Sequence, residues 1–333
     1  MLDLQYQFVK TILKNTSHSA QESGRAFAPA NIALCKYWGK RNNVLNLPFN
    51  SSLSISLGKK GSFTEIKRSP QDKFFLNERL MHPESDFSER LSIFLNLFRE
   101  ICRAPGFEVH TTNTIPTSAG LASSASGFAA LVLALNDLTG WQLDKKNLSM
   151  LARLGSGSAS RSIFNGFVLW NAGKRKDGLD SFSDPIDVTW SEFRIGILKT
   201  NFSEKKVSSR LGMKRTVETS PRYRNWPKQA EEDFINIYKA VKNKDFNLVG
   251  LLAEKNALEM HATMREANPP IDYFTETTHS LIKRVQSLRN QGLPIYLTID
   301  AGPNVKILFE EKYNDDVIKE FLDVDIINPL GDI

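Results

Sequence analysis

With 333 residues the chain is long enough to bury a large core and to divide into two lobes, and its 41% hydrophobic and 24% charged residues exclude disorder as the default state. The 43 Lys and Arg against 37 Asp and Glu leave a net charge of +6, which fits an anionic small molecule as well as a nucleic acid and does not choose between them. Its two cysteines, Cys35 and Cys102, lack CxxC spacing, which argues against a disulfide framework or a structural zinc site and points to a reducing cytoplasm.

The opening "MLDLQYQFVKTILKNTSHSA" places Leu4, Phe8, Ile12 and Leu13 near helical spacing without the basic-then-apolar order of a signal peptide. It reads as an N-terminal helix or arm. "GSFTEIKRS" and "KFFLNERLM", between Gly61 and Met81, read as strands, and Ser88 to Arg103 sets Leu91, Phe94, Leu97, Phe98 and Ile101 on one helical face. "FEVHTTNTI" alternates as a strand and feeds "TIPTSAGLASSASG", Thr114 to Gly127, from which a helix leaves. The longest wholly apolar run, "FAALVLAL", falls far short of the roughly 20 residues that a bilayer span needs, so no membrane segment is expected.

After Lys145 a short helix, "KNLSMLARL", runs into the small-residue cluster "GSGSASRS" and the strand-like "GFVLWNAG". "SEKKVSSRLGMKR", Ser203 to Arg215, reads as a basic, mobile connector beside a cleft. Beyond it lie amphipathic helices over Ala230–Val241 and Phe246–Met260 and a helix over Thr275–Asn290. The strand "PIYLTI", the turn "DAGPN", the strand "VKILFEE" and the helix "NDDVIKEFL" complete a second α+β unit.

The Thr114–Gly127 loop is built almost wholly of small residues ahead of a helix, so its free N–H groups and the positive end of the helix dipole can receive phosphate. Gly120 would serve the turn, and the Ser123 and Ser124 hydroxyls would face phosphate oxygens or magnesium. Neither GKS/GKT nor GxGxxG is present, and taken alone a serine-rich helix cap accounts for the loop equally well. Lys36, Lys40 and Arg41 crowd beside Tyr37 and Trp38, Ser156 and Ser158 accompany Arg161, and Ser208 and Ser209 accompany Arg210. Ser with Arg makes an oxyanion grip, because a rigid fork is joined by an adaptable hydroxyl. Asp300 ends an apolar strand with small residues beside it, leaving room for a substrate. Singly these are also a solvated basic turn, capped helices and a turn-initiating aspartate. Together they point to an ATP-dependent reaction on a phosphorylated small molecule rather than to a nucleic-acid binder, which would need a basic face with exposed aromatics.

"APANIALCKYWGKRNNVLNLPFNSSLS", "PTSAGLASSASGFAAL", "GSGSASRSIFNGFVLW", "MHATMREANPP" and "DAGPNVKIL" occur in that order, and from about Ala28 onward the chain resembles the diphosphomevalonate decarboxylase family. That family lies within the GHMP kinase superfamily, with galactokinase, homoserine kinase and mevalonate kinase. The resemblance implies an α+β, two-lobe GHMP-kinase-like fold: a ribosomal-protein-like N-terminal lobe over 25–200, a ferredoxin-like C-terminal lobe over 201–333, and the site in the cleft between them. It implies ATP and Mg2+, a reaction converting mevalonate diphosphate to isopentenyl diphosphate, CO2, ADP and phosphate, and a cytoplasmic homodimer.

By residue, the resemblance gives Asp300 the role of orienting the hydroxyl and taking its proton, with Lys36 beside it. Arg161 would hold the substrate carboxylate, and Tyr37, Lys40, Ser158, Ser209 and Arg210 would serve the phosphates. Ser118, Gly120, Ala122, Ser123 and Ser124 would serve the nucleotide, with Ser123 and Ser124 also on the magnesium. Residues 1–24 extend ahead of the family's usual start and receive no catalytic role, and "KRKDGLDSFSDPI" departs from its counterpart. A kinase or a monophosphate decarboxylase on the same fold, and a sensor lacking the general base, are the competing readings.

Overall fold

The computed structural model describes residues 2–16, 19, 21–114, 123–198 and 207–331. The elements are α1 (Leu2–Leu13), β1 (Ser23–Cys35), β2 (Lys40–Asn42), β3 (Leu47–Pro48), β4 (Ser52–Ser69), β5 (Lys73–Leu76), β6 (Arg79–Leu80), α2 (Asp86–Leu95), α3 (Arg99–Cys102), β7 (Gly106–Asn113), α4 (Ser123–Thr139), α5 (Lys145–Gly155), β8 (Phe167–Trp170) and β9 (Ser183–Pro185). The chain continues through β10 (Phe193–Leu198), α6 (Ser209–Thr219), α7 (Trp226–Lys242), α8 (Phe246–Arg265), α9 (Glu276–Asn290), β11 (Tyr296–Ile299), β12 (Val305–Glu310), α10 (Asn314–Glu320) and β13 (Asp325–Ile327).

The first sheet runs β6-β5-β7-β4-β8-β9, with β1 also paired antiparallel to the long β4; the second runs β11-β12-β10-β13. The fold is therefore α+β. One core, with Phe8, Phe74, Phe98, Phe107, Leu131 and Leu151, fills the space around α4 and α5 against the first sheet. A second contains Ile32 and Leu34 of β1, Leu53 and Ile55 of β4, and Ile197, Leu297 and Ile307 of the second sheet, so the two sheets share apolar packing. Burial at roughly 25 cal/mol per Å2 makes such a shared core the main cohesive term between the lobes. Among the described residues, no helix is long and apolar enough to cross a membrane.

Three expectations are revised. The Ser88–Arg103 face is two helices, α2 and α3, because the chain turns at Asn96–Phe98 to bury Leu97 and Phe98. The part of the supposed connector from Ser209 onward is α6, capped by Ser208, whose side chain accepts from the Leu211 amide, and anchored by buried Gly212, Met213 and Thr216. Residues 203–206 of that segment lie outside the described residues. β10, which precedes the expected lobe boundary at 200, pairs with β12 and β13 in the second sheet, so the chain crosses between sheets after β9.

Candidate active site

β1 of the first sheet ends at Cys35 and β11 of the second at Ile299, and Lys36 and Asp300 are the next residues along. The strand ends meet: Thr298 Oγ1 donates to the Ala33 carbonyl at 3.2 Å. Lys36 Nζ donates to that same carbonyl at 2.7 Å and to Asp300 Oδ1 at 2.8 Å. Asn256 on α8 accepts from the Lys36 amide at 2.7 Å and donates to Asp233 on α7 at 2.9 Å. Asn50 donates to the Lys36 carbonyl at 3.0 Å. Lys36 is thus held at both its backbone and its head.

Lys306 Nζ lies 3.3 Å from Asp300 Oδ2, but the contact lacks hydrogen-bond geometry and Oδ2 has no hydrogen-bond partner among the described residues. Burial by itself pushes the Asp300 carboxyl up; Lys36 and Lys306 outweigh it and hold the group well below the usual carboxylate range. Asp300 is therefore an anion held between two ammonium groups, with Oδ2 in an ion pair with Lys306 but without a hydrogen bond among the described residues. Burial lowers the Lys36 ammonium, which the Asp300 charge opposes. His261 Nε2 lies 3.1 Å from the Asp300 carbonyl, and burial together with the nearby Lys36 charge pushes the imidazole down to about 3. It is neutral, so Nε2–H donates to that carbonyl and fixes the backbone of the carboxylate.

Arg161 lies in the 3-10 turn Gly157–Ile163 after α5, is 2% exposed, and donates through Nη1 to Ser52 Oγ at 2.5 Å. Its Nε has no partner among the described residues. Burial lowers the guanidinium to about 10, with Asp300 opposing, so it stays charged. The Tyr37 hydroxyl is also buried, without a hydrogen-bond partner among the described residues, and the Tyr37 ring meets Trp170 edge-on at 4.8 Å. Buried donors left unpaired in a folded protein call for an external acceptor. A Cβ on Gly157 would stand 2.7 Å from the Tyr37 ring, so this close approach requires glycine.

Beyond Tyr37 a cavity of about 500 Å3 is lined by Lys40, Arg90, Ser208, Arg210 and Lys214, with Gly155 and Phe128 at its wall. The charges of Arg161 and Arg210 both reach the Tyr37 hydroxyl, and those of Arg210 and Arg90 reach Lys40, while Lys40, Arg90, Arg210 and Lys214 gather at the cavity. Burial first, then these arginines, lowers the Lys40 ammonium to about 8. Lys40 Nζ donates to Asn46 Oδ1 at 2.6 Å. Gly39, at φ +101°, adopts a left-handed conformation, and a Cβ there would stand 1.7 Å from the Tyr223 hydroxyl, which donates to the Trp38 carbonyl at 2.9 Å. Ser158 is half-buried, its hydroxyl 3.3 Å from that of Ser156. Ser209 is half-buried at the first position of α6, and it is the capping Ser208 that lines the cavity.

Ser118, Gly120 and Ala122, and the side chain of Ser123, lie outside the described residues. Ser124 is exposed in the first turn of α4, which carries no acidic residue, and a Cβ added at Gly127 would meet nothing within 4 Å among the described residues. A helix start whose first turn carries no carboxylate fits a phosphate group. No three His, Cys, Asp or Glu side chains gather into a metal-holding group among the described residues.

Sequence reasoning missed Arg90, Lys214, Lys306, His261 and Asn256. Lys214 had a signal, its spacing of four from Arg210, which puts both on one face of a helix. The others stand singly on regular elements and only the fold assembles them.

Residues 28–183 match the family model of the diphosphomevalonate decarboxylase-like N-terminal domain, and residues 195–326 that of the mevalonate 5-diphosphate decarboxylase C-terminal domain. A diphosphomevalonate decarboxylase of Candida albicans is 36% identical over 313 residues, covering 89% of this chain and 86% of the relative; one of Bos taurus is 35% identical over 326 residues, covering 89% and 78%. Among solved structures, mevalonate diphosphate decarboxylase from Staphylococcus aureus aligns with a TM-score of 0.87 at 37% identity, covering 92% of this chain and 95% of that one. A structure described as MDDEF in complex with MVAPP, AMPPCP and magnesium aligns with a TM-score of 0.85 at 42% identity, covering 91% and 95%.

Proposed function

The chain belongs to the diphosphomevalonate decarboxylase family, and from that premise we infer that it converts mevalonate diphosphate, with ATP, to isopentenyl diphosphate, CO2, ADP and phosphate. The observation that carries the reading is the Lys36–Asp300 pair at 2.8 Å, with Asp300 Oδ2 ion-paired to Lys306 at 3.3 Å yet without a hydrogen bond, set beside an Arg161 Nε and a Tyr37 hydroxyl that have no partner among the described residues.

When bound, ATP with magnesium supplies the phosphoryl group that makes the substrate's tertiary hydroxyl a leaving group. Asp300 Oδ2 accepts the hydroxyl hydrogen and aims its oxygen. A carboxylate so strongly acidified is a weak base, which suits a loose phosphoryl-transfer transition state in which the proton moves late. Lys36 keeps Asp300 ionised and adds positive charge beside the transferring phosphoryl group. Arg161 holds the substrate carboxylate through Nε and the free face of its fork, fixing the bond that breaks when CO2 leaves. As phosphate departs, the electron pair of that bond forms the alkene.

Tyr37, Lys40, Ser158, Ser209 and Arg210, joined by Arg90 and Lys214, take the substrate's diphosphate. The gathering of Lys40, Arg90, Arg210 and Lys214 around one cavity supports this, and its roughly 500 Å3 is ample for two phosphates. Ser118, Gly120, Ala122, Ser123 and Ser124 would take the nucleotide, with Ser123 and Ser124 on the magnesium. The reading includes a cytoplasmic homodimer, and the two free, buried cysteines suit a reducing compartment. The N-terminal lobe is taken to end after β9 and the C-terminal lobe to begin at β10, with 1–24 as an extension.

The test is a product assay with ATP, magnesium and, in parallel, mevalonate, its monophosphate and its diphosphate, recording ADP and alkene separately. Equal ADP and isopentenyl diphosphate from the diphosphate alone is expected. ADP without alkene would make the protein a kinase, and alkene from the monophosphate would change the substrate.

A further inference from the structure

α1 lies wholly ahead of residue 28, where the match to the family's N-terminal domain begins. It is nonetheless built into the site. Phe8, Val9 and Leu13 are buried in the same apolar cluster as Leu45 and Leu47 of the β2–β3 hairpin. On the next face Gln5 Nε2 donates to the Val44 carbonyl at 2.7 Å, and Gln5 itself lines the cavity that holds Lys40, Arg90, Arg210 and Lys214.

A second tie runs through Arg153 of α5. Its guanidinium is fully buried, lies 5.2 Å from the centre of the Phe8 ring and donates through Nε to the Leu45 carbonyl at 3.0 Å. Asn46, in the left-handed region at φ 51°, donates to the Arg153 and Leu154 carbonyls at 2.8 and 3.0 Å and accepts from Lys40 Nζ at 2.6 Å. The turn 43–46 is therefore clamped between α1 and α5, and its last residue holds the Lys40 ammonium.

We propose that α1 forms part of the substrate-binding wall, with Gln5 as a positioning residue that sets the 43–46 turn and, through Asn46, the place of Lys40. The segment ahead of the family's domain thereby tunes affinity for the anionic end of the substrate. This rests on the function inferred above. A hydrogen bond in a half-buried site contributes about 1 kcal/mol, so its loss should weaken substrate binding roughly three- to tenfold.

The experiment compares the full chain with Gln5→Ala and with Gln7→Ala, whose exposed side chain lies on the same helix away from the cavity. Gln5→Ala is expected to raise KM for mevalonate diphosphate roughly three- to tenfold, leave kcat and KM for ATP unchanged, and shift the alkaline limb of the kcat/KM profile; Gln7→Ala should do none of these. A chain lacking residues 2–14 should show the same split, but because it uncovers Phe8 and Val9 the point variant decides. An unchanged KM in Gln5→Ala, with or without a lower Tm, overturns the proposal. If the wild type does not turn over mevalonate diphosphate, the inferred function fails instead. Calorimetric titration of wild type and Gln5→Ala with inorganic pyrophosphate then decides separately: weaker binding by the variant supports the proposal, and equal affinity or no binding by the wild type overturns it.

Discussion

Lys36 and Asp300 each follow the last residue of a strand, one in each sheet, and their side chains meet at 2.8 Å. The pair therefore forms only when the two sheets are packed against their shared core. The site's anion depends on the apolar core that the two sheets share. Replacing Asp300 by Asn keeps the shape, removes the charge and leaves two buried ammonium groups unpaired. Turnover should fall by about 10²- to 10⁴-fold, with nucleotide affinity unchanged, read by steady-state kinetics and by titration with a non-hydrolysable ATP analogue. Near-normal turnover would remove Asp300 from its role.

The same substitution has a stability signature. The folded Asp300 carboxyl lies below its unfolded value of about 3.9, so the unfolded state binds the proton first as pH falls. Its contribution is present above that unfolded value and is lost as pH drops through the folded one. Denaturant unfolding between pH 5 and 3 should be steeper in pH for the wild type than for Asp300→Asn, and equal slopes would contradict the assignment.

Arg161→Lys keeps a buried cation but loses the Nε donor and the planar fork. kcat/KM for the diphosphate substrate should drop by roughly 10- to 100-fold, the equivalent of one or two charge-assisted hydrogen bonds. KM for ATP should be unaffected. Unchanged kinetics would mean that no carboxylate is gripped there.

Lys40 gives the pH dependence. Its ammonium, lowered to about 8 by burial and its arginine neighbours, loses its charge as pH rises through that value. kcat/KM, which reports the free enzyme, should then fall above about pH 8 while kcat holds at saturating substrate. In Lys40→Arg that alkaline limb should vanish. A profile flat to pH 9.5 in the wild type would separate Lys40 from the substrate.

The readable part of the site was the part whose chemistry needs a local pattern. Lys36, Tyr37 and Lys40 sit within five residues, Arg161 within a run of serines, and Asp300 before a glycine–proline turn; each offers small residues beside a charged one. His261 and Lys306 lie on α8 and β12 as single polar side chains among mostly apolar ones, and Asn256 lies on α8 beside Glu254 and Lys255; nothing local separates such residues from satisfied core or solvated helix residues. Strands and helices were legible from their periods. The partner of β10 was not, because sheet pairing across more than a hundred residues leaves no local trace. α6 was misread because its small, basic stretch has a connector's composition, while its burial depends on Trp38 and Met264 in two distant segments.

His261 supplies the last prediction, and its sign is opposite to that of a paired surface histidine. The folded imidazole, at about 3, lies below the unfolded value of about 6.5, so between those values the unfolded chain binds a proton that the folded chain refuses. Stability therefore rises with pH across this window and falls on acidification from about pH 6.5, by up to about 1.4 kcal/mol per unit. Glutamine at this position can still donate to the Asp300 carbonyl but cannot titrate. His261→Gln should keep measurable turnover at pH 7 and flatten the stability slope between pH 6.5 and 4.5, above the range in which Asp300 contributes. Chemical denaturation at four or five pH values checks both. If the slope persists in the variant, another group carries the acid sensitivity; if turnover collapses while the fold survives, the imidazole contacts more than a carbonyl.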